Sequence, residues 1–239
     1  MSVRKHIPNT ITSLNLFCGV LGIIVALQYG NLPLAFKLML LSVVFDFCDG
    51  LAARLLGAYS ETGKELDSLA DLVSFGVLPS VMMFRAMEEA WPQWCFVPLL
   101  LAVASAMRLA KFNLDERQHE SFLGLPTPAC ALLCGSICAL GAMAQESFVA
   151  GLCSSAWFLP CLSAGLGVLL VSEVPMFSFK FGRNMQADVA TRRKRCAIIF
   201  IGAAVIALTV CLSLPWTAAF AGIFASYIIL NLIFALFGV

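Results

Sequence analysis

An all-α, polytopic transmembrane helix bundle is the fold this sequence predicts, on three observations. Hydrophobic residues make up 61% of the 239 positions and charged residues only 12%, where soluble domains carry roughly a quarter charged residues. The mean hydropathy is +0.93. Apolar runs of about 20 residues, enough to cross a bilayer, recur along the whole chain with short connections, so residues 1–239 read as one integral-membrane domain.

Eight spans follow in order, at about 9–29, 33–57, 63–87, 91–112, 127–144, 157–178, 196–214 and 217–237. Arg4 and Lys5 precede the first, as in a signal peptide, but its apolar stretch is too long and no small-residue cleavage pattern follows. Asn9 and Thr12 cap and anchor its entry, and Asn15 is polar enough to face a cavity. The second and third spans carry acids, treated below. Arg108 and Asn113 end the fourth, and Pro126 and Pro128 open the fifth as helix-start residues. Cys130, Cys134 and Cys138 stripe that fifth span. With only His6 and His119 to join them, and no CxxC pair, they read as small residues allowing close packing rather than as a zinc site. The sixth span contains Glu173 and Pro175, and the two last spans, 196–237, are the more peripheral. Ala218, Gly222 and Ser226 on the eighth form a small-residue stripe, a candidate helix or homodimer interface.

Lys and Arg are normally kept on the cytoplasmic side. With the N-terminus inside, all basic residues except Lys37 and Arg85 fall at cytoplasmic loops or helix ends, which predicts N-in and C-in. Trp91, Trp94, Trp157 and Trp216 then lie near the outer face as interfacial anchors. The net charge of +1 gives no nucleic-acid signal. The run Arg192 to Arg195 suits anionic headgroups or simply fixes topology.

Against this apolar background the segment DFCDGLAARLLGAYSETGKELDSLAD, residues 46–71, holds four aspartates. One acid near the bilayer centre costs about 2.5–3.5 kcal/mol even on the lenient insertion scale. At about 100° per residue, Asp46, Asp49, Gly50, Ala53 and Arg54 share one helical face, and Gly63, Asp67 and Asp71 form a stripe on the next, antiparallel helix. Four confronted carboxylates repel unless protons, Arg54 or cations relieve them, and hard divalent ions with oxygen ligands do so best. Two such ions about 3.5–4 Å apart are a recurring device of phosphoryl chemistry. Gly50, Ala53 and Gly63 leave room beside the acids, and Arg54 offers a fork of donors to a phosphate oxygen. The plainer reading is that the acids cap helices or pair with Arg54 and Lys64. It accounts poorly for four of them on facing stripes interleaved with glycine.

Written as D-x2-D-G-x2-A-R-x8-G-x3-D-x3-D, the segment resembles the signature of the CDP-alcohol phosphotransferases at every fixed position. The resemblance implies a membrane enzyme that moves the phosphoryl-bearing group of a CDP-linked donor to an alcohol and releases CMP. It implies that Asp46, Asp49, Asp67 and Asp71 hold divalent metal ions, Mg²⁺ or Mn²⁺ and two in number, with Asp71 also the general base. Gly50, Ala53, Arg54 and Gly63 would contact or clear room for the CDP moiety, together with Asn9 and Thr12.

Four further segments, IPNTITSLNLFCG at 7–19, RLAKFN at 108–113, FLGLPTPA at 122–129 and SFKFG at 178–182, together resemble the membrane-embedded phosphatidylserine synthases of bacteria and archaea. That likeness implies CDP-diacylglycerol and L-serine as substrates, in a bacterial inner membrane with the site facing the cytoplasm. Arg108 is then a candidate for the serine carboxylate, with Asn113 beside it, and Glu173 for the ammonium unless it pairs with Lys180. Glycerol 3-phosphate or an inositol phosphate is the alternative acceptor, needing a denser basic pocket. A cation transporter is the alternative of another class, and it predicts acids spread through the membrane depth.

Overall fold

The computed structural model describes residues 6–114, 122–144, 146, 148–176 and 189–237, without the side chains of 122–123, 189–198 and 237. Helices occupy all eight expected places. The first, α1 (His6–Tyr29), opens with Pro8 in its first turn, where a missing N–H costs nothing. Thr10, Thr12 and Ser13 donate their hydroxyls to carbonyls four residues back, at 2.8, 3.0 and 2.8 Å, so the polar start is satisfied within the helix itself. Its buried residues, including Pro8, Thr12, Asn15, Gly19, Gly22 and Ala26, form one stripe of small and polar side chains, which lets neighbours approach closely.

Gly30, at φ +61°, turns the chain, and Asn31 caps α2 (Leu32–Leu56) by accepting from the Leu34 N–H at 3.0 Å. α2 ends in a Schellman motif. Gly57 lies in the left-handed region, the Ala58 N–H reaches the Ala53 carbonyl at 3.0 Å, and the Gly57 N–H reaches Arg54. Three residues later Ser60 caps α3 (Glu61–Asp71), its Oγ accepting from the Gly63 N–H at 3.0 Å. This short connection makes α2 and α3 antiparallel neighbours. Asp49 is eight residues before Gly57 and Asp67 seven after Ser60, so at 1.5 Å per residue both lie about 10–12 Å from the turn, with Asp46 and Asp71 about 16 Å from it.

The third span continues past Asp71 without a break but not as a uniform helix. Leu72–Val77 widens into a π turn before α4 (Leu78–Met87). Pro79 supplies the cause, because a proline inside a helix lacks its N–H and crowds the carbonyl four residues back. Ser80 Oγ donates to the Gly76 carbonyl at 2.7 Å inside this distorted stretch.

The fourth span starts later than residue 91. Turns occupy 88–96, and a short 3-10 turn at Val97–Leu99 leads into α5 (Leu100–Leu114), because Pro92 and Pro98 prevent a regular helix from forming earlier. After the two-residue strand β1 (Phe122–Leu123) comes α6 (Thr127–Met143), then an unexpected short α7 (Phe148–Cys153) and α8 (Phe158–Val171). The sixth span thus ends at 171 rather than 178. Val174 precedes Pro175 and is held out of the helical region, Ser172 is extended, and β2 (Pro175–Met176) pairs antiparallel with β1. α9 (Val189–Cys211) and α10 (Trp216–Phe237) complete the chain.

Among the described residues, four helical segments are long and apolar enough to cross a membrane: His6–Tyr29, Glu61–Met87, Val97–Leu114 and Trp216–Leu236. α2 is 25 residues long and fails that test on charge, since Lys37, Asp46, Asp49 and Arg54 leave no 18-residue window with two or fewer charged groups. Thr127–Met143, Phe158–Val171 and Ile199–Cys211 are shorter apolar helices. The protein is an integral membrane protein built of helices.

α1 packs along α2 and also touches α3, the π turn and α4, while α6 sits between α2, α4 and α10. The cysteine stripe of α6 is buried in that interface, and a Cβ on its neighbour Gly135 would come within 2.8 Å of Phe36. α10 buries Tyr227, Ile228 and Asn231. Gly222 of the expected small-residue stripe faces α9, where a Cβ would meet Val205 at 2.7 Å, so that position serves packing inside the chain. Trp94 packs on Trp157 at 5.2 Å and Trp216 stacks on Phe36 at 5.6 Å, both at the end of the bundle away from the aspartates.

Candidate active site

At these matching heights Asp46 and Asp49 of α2 confront Asp67 of α3, with Asp71 beside them. One carboxylate oxygen from each of Asp46, Asp49 and Asp67 lies within 4.8 Å of the others. Asp71 adjoins this trio, within electrostatic reach of all three. Among the described residues no Lys or Arg forms an ion pair with any of the four. Arg54 donates its Nε to the Gly50 carbonyl at 2.9 Å, and Lys64 donates to the Asn113 carbonyl at 3.3 Å. Helix capping and pairing with Arg54 or Lys64 are therefore not what these acids do.

Buried oxygens of Asp49, Asp67 and Asp71 have no hydrogen-bond partner. Converging, unpartnered, hard oxygen donors of one charge fit a divalent cation and little else, since left bare they would repel and stay undersatisfied. The donor set can hold a metal ion.

α1 closes one side of the acids. Thr12 is buried within reach of Asp49, its hydroxyl donated to the Pro8 carbonyl, and Asn15 is fully buried beside Asp71. Asn9 reaches Gly63, where an added Cβ would lie 3.0 Å from Asn9 Oδ1 and 2.9 Å from Ser60 Oγ. Gly63 is thus required by close approach. Gly50 is not, because a Cβ there would meet only Arg54 Nη2 at 3.9 Å. The space beside Gly50 and the half-buried Ala53 is open rather than filled by the chain.

α5 closes the other side. Arg108 is buried, donates Nη1 to Thr127 Oγ1 at 2.8 Å, keeps an unpartnered Nε, and lies within electrostatic reach of Asp71 and of Tyr227 on α10. The 122–129 segment explains how Thr127 gets there. Its Gly124 and Leu125 N–H groups donate to the Val174 and Leu169 carbonyls at 2.9 and 3.0 Å. Gly124 sits at φ +77°, with the Ser172 carbonyl 2.7 Å from where a Cβ would be. Only glycine fits, and the tight docking sets the start of α6 against α8.

The remaining expected residues are near but engaged. Asn113 donates its amide to Ser68 Oγ at 2.9 Å. Glu173, exposed at the end of α8, pairs with Lys111 at 2.8 Å. Lys180, the partner expected for it, lies outside the described residues, as does the rest of the 178–182 segment. Thr127, Ser68 and Tyr227 were not singled out from sequence. Thr127 was within reach as the polar residue of the LPTPA stretch, whereas Tyr227 had no local signal. A cavity of about 480 Å³ lies at the opposite end, lined by residues such as Gly30, Arg85 and Gly151, and takes no part in this cluster.

A family model described as CDP-alcohol phosphatidyltransferase matches residues 5–169, which include the whole acidic cluster, Arg108 and Thr127. The chain belongs to the CDP-alcohol phosphatidyltransferase family. Among curated members, the CDP-diacylglycerol–serine O-phosphatidyltransferase of Mycobacterium tuberculosis (strain ATCC 25618 / H37Rv) is 37% identical over 178 residues, covering 71% of this chain and 60% of that protein. The enzyme of the same name from Bacillus subtilis (strain 168) is 39% identical over 128 residues, covering 52% of this chain and 70% of that protein. An archaetidylserine synthase of Methanothermobacter thermautotrophicus is 34% identical over 143 residues, covering 59% and 61%. The chain thus spans about 60% of the length of the mycobacterial relatives it matches. α9 and α10, including Tyr227, lie beyond the family match.

Proposed function

We propose that this chain transfers the phosphatidyl group of CDP-diacylglycerol to the hydroxyl of L-serine, giving phosphatidylserine and CMP. The observation that carries the reading is the convergence of Asp46, Asp49 and Asp67 beside Asp71, with Arg108 buried within electrostatic reach of Asp71. Relatives bearing the name of that reaction support it.

In this reading Asp46, Asp49, Asp67 and Asp71 hold divalent ions, Mg²⁺ or Mn²⁺ and two in number. When bound, they would neutralise the pyrophosphate as its bond to CMP breaks. The open space by Gly50 and Ala53, with Arg54, Gly63, Asn9 and Thr12 around it, receives the CDP moiety. Arg108, with its free Nε, takes the serine carboxylate. Asp71 accepts the hydroxyl proton as the serine oxygen bonds to the phosphatidyl phosphorus, and the bridging oxygen leaves with CMP. Asn113 and Glu173 line the approach, held by Ser68 and Lys111.

Among the described residues, engagement of the basic side chains favours serine over a phosphate-bearing acceptor. Lys111 is paired, Lys64 and Arg54 point at backbone carbonyls, and Arg108 is the buried cation beside Asp71. A second phosphate would want more. Grouping of the acids at one level likewise disfavours an ion path.

Eight spans with both ends inside, in a bacterial inner membrane, would set the acids near the cytoplasmic face, where a diacylglycerol tail stays in lipid while its headgroup enters. A homodimer is part of this reading, tested by crosslinking in native membranes. The activity is tested with purified protein in micelles containing CDP-diacylglycerol and Mn²⁺, against a panel of alcohols. CMP release that requires serine is expected. Release that requires glycerol 3-phosphate or an inositol phosphate would replace the acceptor, and ion flux without CMP would replace the enzyme.

A further inference from the structure

Asn15 is the most constrained polar residue near the acids. It is fully buried, and neither polar atom of its carboxamide makes a hydrogen bond of good geometry. A buried amide without partners is destabilising, because it has given up its hydrogen bonds to water. In a chain with abundant leucine and alanine, packing alone would be met more cheaply by an apolar side chain.

Its backbone is pinned from two directions. The Asn15 carbonyl accepts the hydroxyl of Ser42 on α2 and that of Ser74 in the π turn, each at 3.1 Å. Ser42 is one turn before Asp46, and Ser74 is three residues after Asp71. Gly19 permits the second contact, since a Cβ there would come within 3.0 Å of Ser74 Cα. The two helices that carry the acids are therefore both referenced to the same point on α1. The carboxamide lies within electrostatic reach of Asp71, whose buried Oδ1 is also unpartnered.

We propose that Asn15 is a positioning residue, whose unpartnered side-chain amide takes up one oxygen of Asp71 when the site is loaded, so that the other faces the acceptor hydroxyl. The inference rests on the reading of Asp71 as the base. A carboxamide suits this task because it donates to a carboxylate without adding charge to a cluster already crowded with it. Orientation of a base governs the chemical step rather than substrate affinity, and a misplacement of about 1 Å can lower a rate on the order of 100-fold.

The test compares Asn15→Ala, Asn15→Leu and Asn15→Ser in the full-length protein in micelles, after size-exclusion chromatography confirms that each is folded. Mn²⁺ binding is read by electron paramagnetic resonance, separately from CMP release. Asn15→Ala and Asn15→Leu should lower kcat by about tenfold or more, leaving KM for CDP-diacylglycerol and Mn²⁺ binding within about twofold of the parent. Asn15→Ser, which restores a donor, should recover part of the loss. Should the Asn15 variants not fold, Ser74→Ala and Ser42→Ala loosen the same clamp from outside the cluster and should show a smaller loss with the same kcat bias. Unchanged kcat in Asn15→Ala would overturn the proposal. So would weakened Mn²⁺ binding in step with activity, which would make Asn15 part of the ligand set, or a loss confined to KM. If the parent releases CMP only with an alcohol other than serine, the acceptor reading fails while the Asn15 comparison is run with that alcohol. Release by the parent that needs no alcohol would remove the base and this inference together.

Discussion

Asp71 and Arg108 are neighbours by electrostatic reach yet have separable roles, and their variants should separate kinetically. Asp71→Asn keeps shape and one oxygen but loses the proton acceptor, so kcat should fall by about 100-fold or more while the protein still inserts and elutes as the parent does. Arg108→Lys keeps the charge but loses the planar fork that now bonds Thr127 and leaves Nε free. Its effect should be a KM for serine raised about tenfold, with KM for CDP-diacylglycerol unchanged. Steady-state CMP release with each substrate varied in turn checks both. The acids were the most legible part of the site, because period 3.6 turns their spacing directly into two stripes. Arg108's setting was not. Its partner Thr127 belongs to another helix, and the contact depends on how the intervening segment docks.

Two glycines show how elements place those residues. Gly57 ends α2 in the left-handed region and so sets the heights at which the aspartates meet. Gly124, at φ +77° and packed against three backbone carbonyls, locks the start of α6 onto the end of α8. Gly124→Ala should therefore destabilise the protein by about 1–2 kcal/mol or more from backbone strain alone, with a lowered thermal midpoint in micelles. Gly165→Ala, in α8 with open space around its Cβ position, should be neutral or slightly stabilising. Helix positions were readable from apolar runs, but their internal character was not. The π turn after Asp71 arises from Pro79 acting back along a helix that hydropathy reads as continuous. The early end of α8 arises from Pro175 and the β1–β2 pairing, a contact across more than fifty residues.

At the scale of the whole molecule, α1, α2, α3 and α5 surround the acids, while α10 reaches the same neighbourhood from beyond the family match by bringing Tyr227 toward Arg108. No pattern in the last apolar run announces that role, since its hydropathy specifies a span and not a neighbour. The proposed orientation puts Tyr59, exposed in the α2–α3 turn, inside and Glu146, exposed between α6 and α7, outside. An impermeant maleimide applied to intact cells should then label Glu146→Cys well above the background of the native cysteines, and Tyr59→Cys only after lysis. The reverse pattern would invert the topology. The central claim is that facing acidic stripes work by holding divalent cations, and chelation tests it most directly. CMP release from CDP-diacylglycerol by the purified protein, measured with serine before and after thorough chelation, should vanish and return on adding Mn²⁺, and turnover that continues undiminished without the ion would contradict it.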